Sequence, residues 1–162
     1  MLMLAAQPRA LFIGQGVTYG GVATYADMKG VPMNQRIEMP VTEELQLGLC
    51  IGLSLQGYLP ICIYPRMDFM LRAMDQLVNH LDKLADMSCG HFRPRVIIRT
   101  RVGSKTPLDA GPQHTQDHTW AFRQMLASVC VVPILAPSQV LPVYREAMER
   151  DRSTLIVEAL PC

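Results

Sequence analysis

The sequence predicts an α/β fold: three layers, α/β/α, around a mostly parallel sheet. Two observations carry this. Short apolar runs alternate along the chain with helical segments, which implies right-handed βαβ crossovers and a sheet covered on both faces. Hydrophobic residues make up 49% of the chain and charged residues only 18%, enough apolar material for a real core. Residues 1–162 show no internal repeat, low-complexity segment or linker, so a single domain is expected to fill the chain.

The elements follow in order. Ala10 to Gly14 is a short apolar run closed by glycine and reads as a buried strand, followed by a loop through Gly16, Gly20 and Gly21. Arg36 to Glu38 forms a second, short strand. Thr42 can cap a helix over Glu43 to Gln56, whose first turn carries two acidic residues at the positive end of the dipole. Leu45, Leu47, Leu49, Cys50, Ile51, Leu53 and Leu55 leave that helix no polar face, so it is expected to be central and buried. Gly57 ends it, and Leu59 to Tyr64 makes the next strand. From Asp68 to Met87 apolar residues recur at helical spacing, predicting one long amphipathic helix. Arg95 to Arg101 reads as a strand and Val102 to Thr119 as a polar loop, long enough to expect a function for it. Trp120 to Ala127 reads as a short helix, Cys130 to Leu135 as a strand, Ser138 to Arg150 as a helix capped by Ser138, and Thr154 to Val157 as the last strand.

Composition excludes several classes. The 15 basic and 14 acidic residues leave a formal charge of +1, which argues against binding nucleic acid by phosphate neutralisation. No run of about 18 apolar residues occurs and the N-terminus lacks the basic start of a signal peptide, so a soluble protein with no membrane association is expected. The five cysteines, Cys50, Cys62, Cys89, Cys130 and Cys162, are odd in number and scattered, which suits free thiols in a reducing cytoplasm. The low charge and 11 methionines suggest that part of the surface is covered by another chain.

Several patterns bear on chemistry. The run from Gly14 to Tyr19 lacks the third glycine of a dinucleotide fingerprint. His114 and His118 are spaced for one helical face, but no third metal ligand has matching spacing, so no metal site is assigned. Cys89 near His91 is a candidate nucleophile pair, but its place after a helix end reads as an ordinary buried or turn cysteine. Arg93, Arg95, Arg99, Arg101 and Lys105 form a basic set, either a positive strand end for an anion or, on the plainer reading, a solvated edge or a salt-bridged interface. Glu43 stands out because a carboxylate opening an apolar helix is led toward the interior and must find a partner there.

The run from Met39 to Gly57, continued by Leu59 to Cys62, resembles the pyrimidine-binding domain of the transketolase superfamily. The beta subunits of the decarboxylating component of 2-oxo acid dehydrogenases are most similar. Phe69, Ala73 to Asn79, Met87 to Gly90 and Gly111 to Gln116 extend the likeness, which spans roughly Ala10 to Glu158. The resemblance implies that Glu43 hydrogen-bonds the aminopyrimidine of thiamine diphosphate. A protonated carboxyl there favours the imino tautomer, whose nitrogen takes the thiazolium proton, and a partly desolvated carboxyl suits that task. It places Phe69 under the pyrimidine as a stacking residue, so Glu43 and Phe69 are the cofactor-binding pair. It makes His114 the active-site histidine facing the substrate, catalytic together with Glu43. Asp75 and Asn79 match a motif packed between subunits.

The departures are informative. Gln15 and Gly16 stand where those beta subunits carry acidic residues; the chain starts almost at the first strand, without the preceding helix, and ends without their C-terminal domain. No Gly-Asp-Gly pattern for magnesium and diphosphate is present. The resemblance therefore implies half a site: a pyrimidine-binding subunit that shares thiamine diphosphate with a separate diphosphate-binding subunit, the partner holding Mg2+. A homodimer of this chain within a heterotetramer is implied, acting on a 2-oxo acid or sugar by decarboxylation or by two-carbon or acyl transfer. Arg99 and Arg101 suggest an anionic substrate. The alternative is a non-catalytic assembly or regulatory module that kept the fold.

Overall fold

The computed structural model describes residues 1–20, 22–106 and 109–160, so Gly21 of the glycine loop and Cys162 of the five cysteines lie outside the described residues. A four-residue helix, α1 (Leu2–Ala5), precedes strand β1 (Ala10–Gly14), where the sequence led us to expect none. There follow α2 (Ala23–Asp27), β2 (Arg36–Glu38), α3 (Glu43–Leu55) and β3 (Leu59–Ile63). The expected long helix comes next in pieces: α4 (Met67–Met70), a 3-10 turn over Leu71–Ala73, a π-helical segment over Gln76–Leu81 and α5 (Leu84–Met87). β4 (Ile97–Arg101), α6 (Thr119–Met125), β5 (Cys130–Ile134), α7 (Val140–Glu149) and β6 (Thr154–Glu158) complete the chain.

The six strands form one parallel sheet in the order β2-β1-β3-β4-β6-β5. Its inner strands are buried on both faces, as βαβ connections require. One apolar core packs α3 and the segments from Met67 to Leu84 against one face around Ile13, Cys62 and Ile98. The other packs α1 and α7 against Phe12, Ile61 and Ile156. The three expected layers and the parallel sheet are therefore present.

Strand order reverses between β1 and β3, where β2 has gone one way and β3 the other, and such a switch point opens a crevice at the carboxyl ends of the strands. Gly14 is required there, since a Cβ on it would lie 2.5 Å from the Ile63 carbonyl oxygen. The fully buried Gln46 amide donates to the carbonyls of Ile13 (3.4 Å) and Ile63 (3.0 Å), pinning the first turns of α3 onto this crevice.

Three local expectations are corrected. The Thr42 hydroxyl turns back to the Pro40 carbonyl at 3.4 Å and does not cap α3. Ser138 does not cap the last helix; Gln139 Oε1 accepts the Leu135 and Ala136 amides in a 3-10 turn before it. Finally, α3 is not buried all round: Glu43, Gln46, Leu47, Cys50 and Ile51 face the sheet, while Leu45 is 61% exposed on an outer face shared with Gly52. Among the described residues no helix is long and apolar enough to cross a membrane.

Candidate functional site

Glu43 opens α3 beside the switch point and is only 4% exposed. Its backbone is held from below, where the Tyr64 hydroxyl, at the end of β3, donates to the Glu43 carbonyl at 2.8 Å. Burial, above all, pushes that phenol far above its usual range, so it acts as a fixed neutral donor. Beneath it lie the thiols of Cys50 and Cys62; burial raises the Cys50 thiol far above its usual range, and the Gln46 amide donates to Cys62 Sγ at 3.3 Å. A buried polar file thus runs from the Glu43 backbone into the core, and the sequence reading missed it.

Glu43 Oε2 is buried and accepts no hydrogen bond. The Arg72 guanidinium stands 3.5 Å from it, but Arg72 is 77% exposed and free to move away. The carboxylate faces a cleft of about 510 Å³ lined by Val41, Thr42, Leu45, Gly48, Arg72 and Gln76. A buried acceptor without a donor costs about 1–3 kcal/mol unless something supplies one, and here the residue that bears it lines a cleft beside the mobile Arg72 side chain. The residues present fit a ligand that brings a donor to this oxygen.

Phe69 and His114 meet a short way off. Their ring centroids are 5.4 Å apart with planes at 88°, an edge-to-face contact. His114 lies in the loop between β4 and α6, and that loop is tied to α4. Gln116 donates to Asp68 Oδ1 through its backbone N–H (3.4 Å) and its amide (2.8 Å), and the His118 N–H reaches Met67 Sδ at 3.1 Å. Gly103 admits the loop, since a Cβ there would lie 1.8 Å from the His114 carbonyl oxygen. Neither ring lines the Glu43 cleft, so the described residues bring Phe69 and His114 together and leave Glu43 on a neighbouring surface at the same edge of the sheet. His114 and His118 do not share a helix, and no group of three or more His, Cys, Asp or Glu is placed for a metal among the described residues.

The loop after β1 carries no carboxylate of its own but receives one. Glu38, ending β2, accepts the N–H groups of Gly16, Val17 and Thr18 at 2.5 to 2.9 Å, together with the Thr18 hydroxyl at 3.0 Å. Glu38 thereby fixes the loop.

The basic set divides. Arg99 pairs with Glu158 (2.9 and 2.8 Å) and Asp27 (2.9 Å), Arg101 pairs with both carboxylates, and the Tyr144 hydroxyl donates to Glu158 at 2.8 Å. Two cations facing two anions leave no net charge, so the expected pull of Arg99 and Arg101 on an anionic substrate is corrected to an internal ion-pair cluster. Burial opposes ionisation of Glu158, but Arg99 outweighs it and holds the carboxyl below its usual range. Cys89 is an exposed turn residue with φ 51°.

A parallel α/β sheet with an unsatisfied carboxylate beside its switch point belongs to the class of open α/β folds, whose ligand crevices lie at the carboxyl edge of the strands. The family is specific: residues 2–159 match transketolase, pyrimidine binding domain, and the chain belongs to it. The pyruvate dehydrogenase E1 component subunit beta of Leifsonia xyli subsp. xyli is 25% identical over 160 residues, 97% of this chain and 47% of that protein. The mitochondrial pyruvate dehydrogenase E1 component subunit beta of Ascaris suum is 31% identical over 96 residues, 59% of this chain and 26% of that protein. A solved structure described as split gene transketolase, inactive beta4 tetramer, has the same fold, with a TM-score of 0.72 at 17% identity over 97% of this chain and 48% of that one. The chain spans about half, or less, of the length of the curated relatives it matches.

Proposed function

We propose that this chain is the pyrimidine-binding subunit of a thiamine-diphosphate-dependent enzyme that works with a separate diphosphate-binding subunit. The observation that carries the reading is the buried, unsatisfied Oε2 of Glu43 facing a cleft at the switch point. Thiamine diphosphate, when bound, supplies a carbanion equivalent that adds to the carbonyl of a 2-oxo acid or ketose. Glu43 accepts from or donates to the pyrimidine ring nitrogen and holds its tautomer. Phe69 offers an apolar ring face for the pyrimidine, and His114, steadied by that ring, faces the substrate carbonyl, where it places a proton or stabilises charge. Arg72 screens Glu43 in the free chain and swings aside on assembly.

The partner holds the diphosphate and Mg2+, and two copies of this chain pair within a heterotetramer. The uncovered outer face of α3, with Leu45 61% exposed, and the exposed Asp75 and Asn79 support such pairing. The free thiols of Cys50, Cys62, Cys89 and Cys130 suit a reducing, cytoplasmic setting. The domain fills residues 1–162, and the reaction is decarboxylation of a 2-oxo acid or transfer of a two-carbon or acyl unit.

A second reading, a non-catalytic assembly module, draws support from Glu38, whose carboxylate is spent on the loop after β1 and leaves no free acid there. The two separate on one experiment: the chain is combined with a subunit bearing the Gly-Asp-Gly and Asn pattern, and both thiamine diphosphate binding and 2-oxo acid decarboxylation or carboligation are measured. Binding with turnover supports the enzyme, whereas absence of turnover in the assembled complex, with or without binding, overturns the enzyme and supports the module.

A further inference from the structure

At the opposite, amino-terminal edge of the sheet, Arg9, Arg93 and Arg95 line one cleft of about 530 Å³. No residue lining it is acidic; Tyr58, Leu59, Pro8 and Met148 supply apolar walls. None of the three is ion-paired among the described residues, in contrast to the Arg99 and Arg101 cluster. Three guanidinium groups thus share one concave surface that has no carboxylate among its lining residues.

The groups are also oriented. Arg9 donates through Nε to the Gly57 carbonyl (2.8 Å) and through Nη2 to that of Gln56 (2.6 Å), and its guanidinium lies 4.3 Å from the centroid of the Tyr58 ring. Arg95 donates through Nη2 to Met148 O at 2.6 Å, and Ser54 Oγ, 2.5 Å from its N–H and 3.0 Å from its carbonyl, holds its backbone. Arg93 donates only through Nε, to Gly90 O at 3.2 Å. Arg9 and Arg95 thus answer the carbonyl ends of α3 and α7, which accounts for one side of each fork. Arg93 serves no helix end, and both its terminal nitrogens remain free.

We propose that this cleft binds a small molecule carrying a diphosphate or two phosphate groups, held by the free N–H groups of Arg9, Arg93 and Arg95. Fixed guanidinium forks match phosphate oxygens in pairs, and anchoring them beforehand lowers the entropy lost on binding. The site is remote from Glu43 and does not rest on the cofactor reading.

The test uses sodium pyrophosphate on the full chain, by calorimetry and by the shifts of arginine Nε–H resonances, against sodium chloride at matched ionic strength and against citrate. Saturable binding in the roughly millimolar range or tighter is expected. Arg93→Ala, which removes no helix cap, should weaken it about ten-fold with an unchanged Tm. Arg9→Lys, which keeps the charge and loses the fork, should also weaken it. Glu43→Gln should leave it unchanged. Non-saturable binding, an equal response to chloride, citrate binding as tightly as pyrophosphate, an indifferent Arg93→Ala, or loss in Glu43→Gln would each overturn the proposal.

Discussion

The Phe69 and His114 rings meet edge to face, centroids 5.4 Å apart at 88°, and the neighbouring residues Asp68 and Gln116 are joined by hydrogen bonds. One short clamp therefore fixes the distance between an apolar ring and a polar one. Asp68→Ala removes the acceptor for both Gln116 donors. The ring-current shift of His114 by Phe69 should fall away in the imidazole carbon–proton spectrum, while thermal stability changes by only about 1 kcal/mol, since these bonds are exposed. Asp68→Asn keeps an acceptor and should keep the shift. An unchanged His114 signal in Asp68→Ala would remove the clamp from the account.

Glu43→Gln separates chemistry from folding. The substituted amide keeps the shape of the side chain and removes its ability to exchange a proton with a bound ring. With Oε2 already lacking a hydrogen-bond donor, the native carboxylate contributes little to stability. We expect the assembled enzyme to lose at least about a hundred-fold in kcat, as for loss of a general acid–base group, with an unchanged melting curve. Wild-type turnover in Glu43→Gln would contradict the assignment.

Much of this was legible from local pattern. Apolar runs placed the strands to within a residue or two, and the acidic start of an apolar helix pointed to Glu43. The region after β3 shows where periodicity misleads. Its buried positions fall three apart at Met67, Met70 and Ala73, then four apart at Ala73, Leu77 and Leu81. Mixed spacings of three and four are what one face of a regular helix of 3.6 residues per turn presents, so the pattern gives no sign of the 3-10 turn and the π segment that break this one. The Asp27–Arg99–Arg101–Glu158 cluster was invisible because its members come from α2, β4 and β6 and meet only when the sheet forms. The outer face of α3 reads as core because leucines stand on it as they do on the face toward the sheet, and only the folded chain shows which of them, Leu47 against Leu45, is buried.

That cluster gives a stability prediction. Arg99 is buried and satisfies both Glu158 and Asp27, and removing one member of a buried set strands the rest. Arg99→Met should cost about 3–5 kcal/mol in urea unfolding, far more than a surface charge. A loss below about 1 kcal/mol would show that the cluster is solvated in practice.

Asp82 sets the response to acid. It is fully buried, and its carboxylate accepts the N–H groups of Ala127, Ser128 and Val129 and pairs with Lys83 at 2.7 Å, joining the end of the π segment to the approach of β5. Burial opposes its ionisation, but Lys83 and the three amides outweigh this and hold its pKa below the ordinary value, as Arg99 does for Glu158. A carboxyl whose folded pKa lies below its unfolded value stabilises the fold fully above the unfolded value, about 4, and loses that contribution as pH falls through the folded one. Stability should therefore be flat from neutral pH to about 5 and drop steeply below about 4. Asp82→Ala should lose about 3 kcal/mol at neutral pH, three amides being left without an acceptor. Its deficit against the parent should shrink as pH falls, because the parent then gives up the same ionic contribution. Denaturant curves at a series of pH values read this directly, and parallel pH profiles for the two proteins would mean that Asp82 holds its proton equally in the folded and unfolded chains.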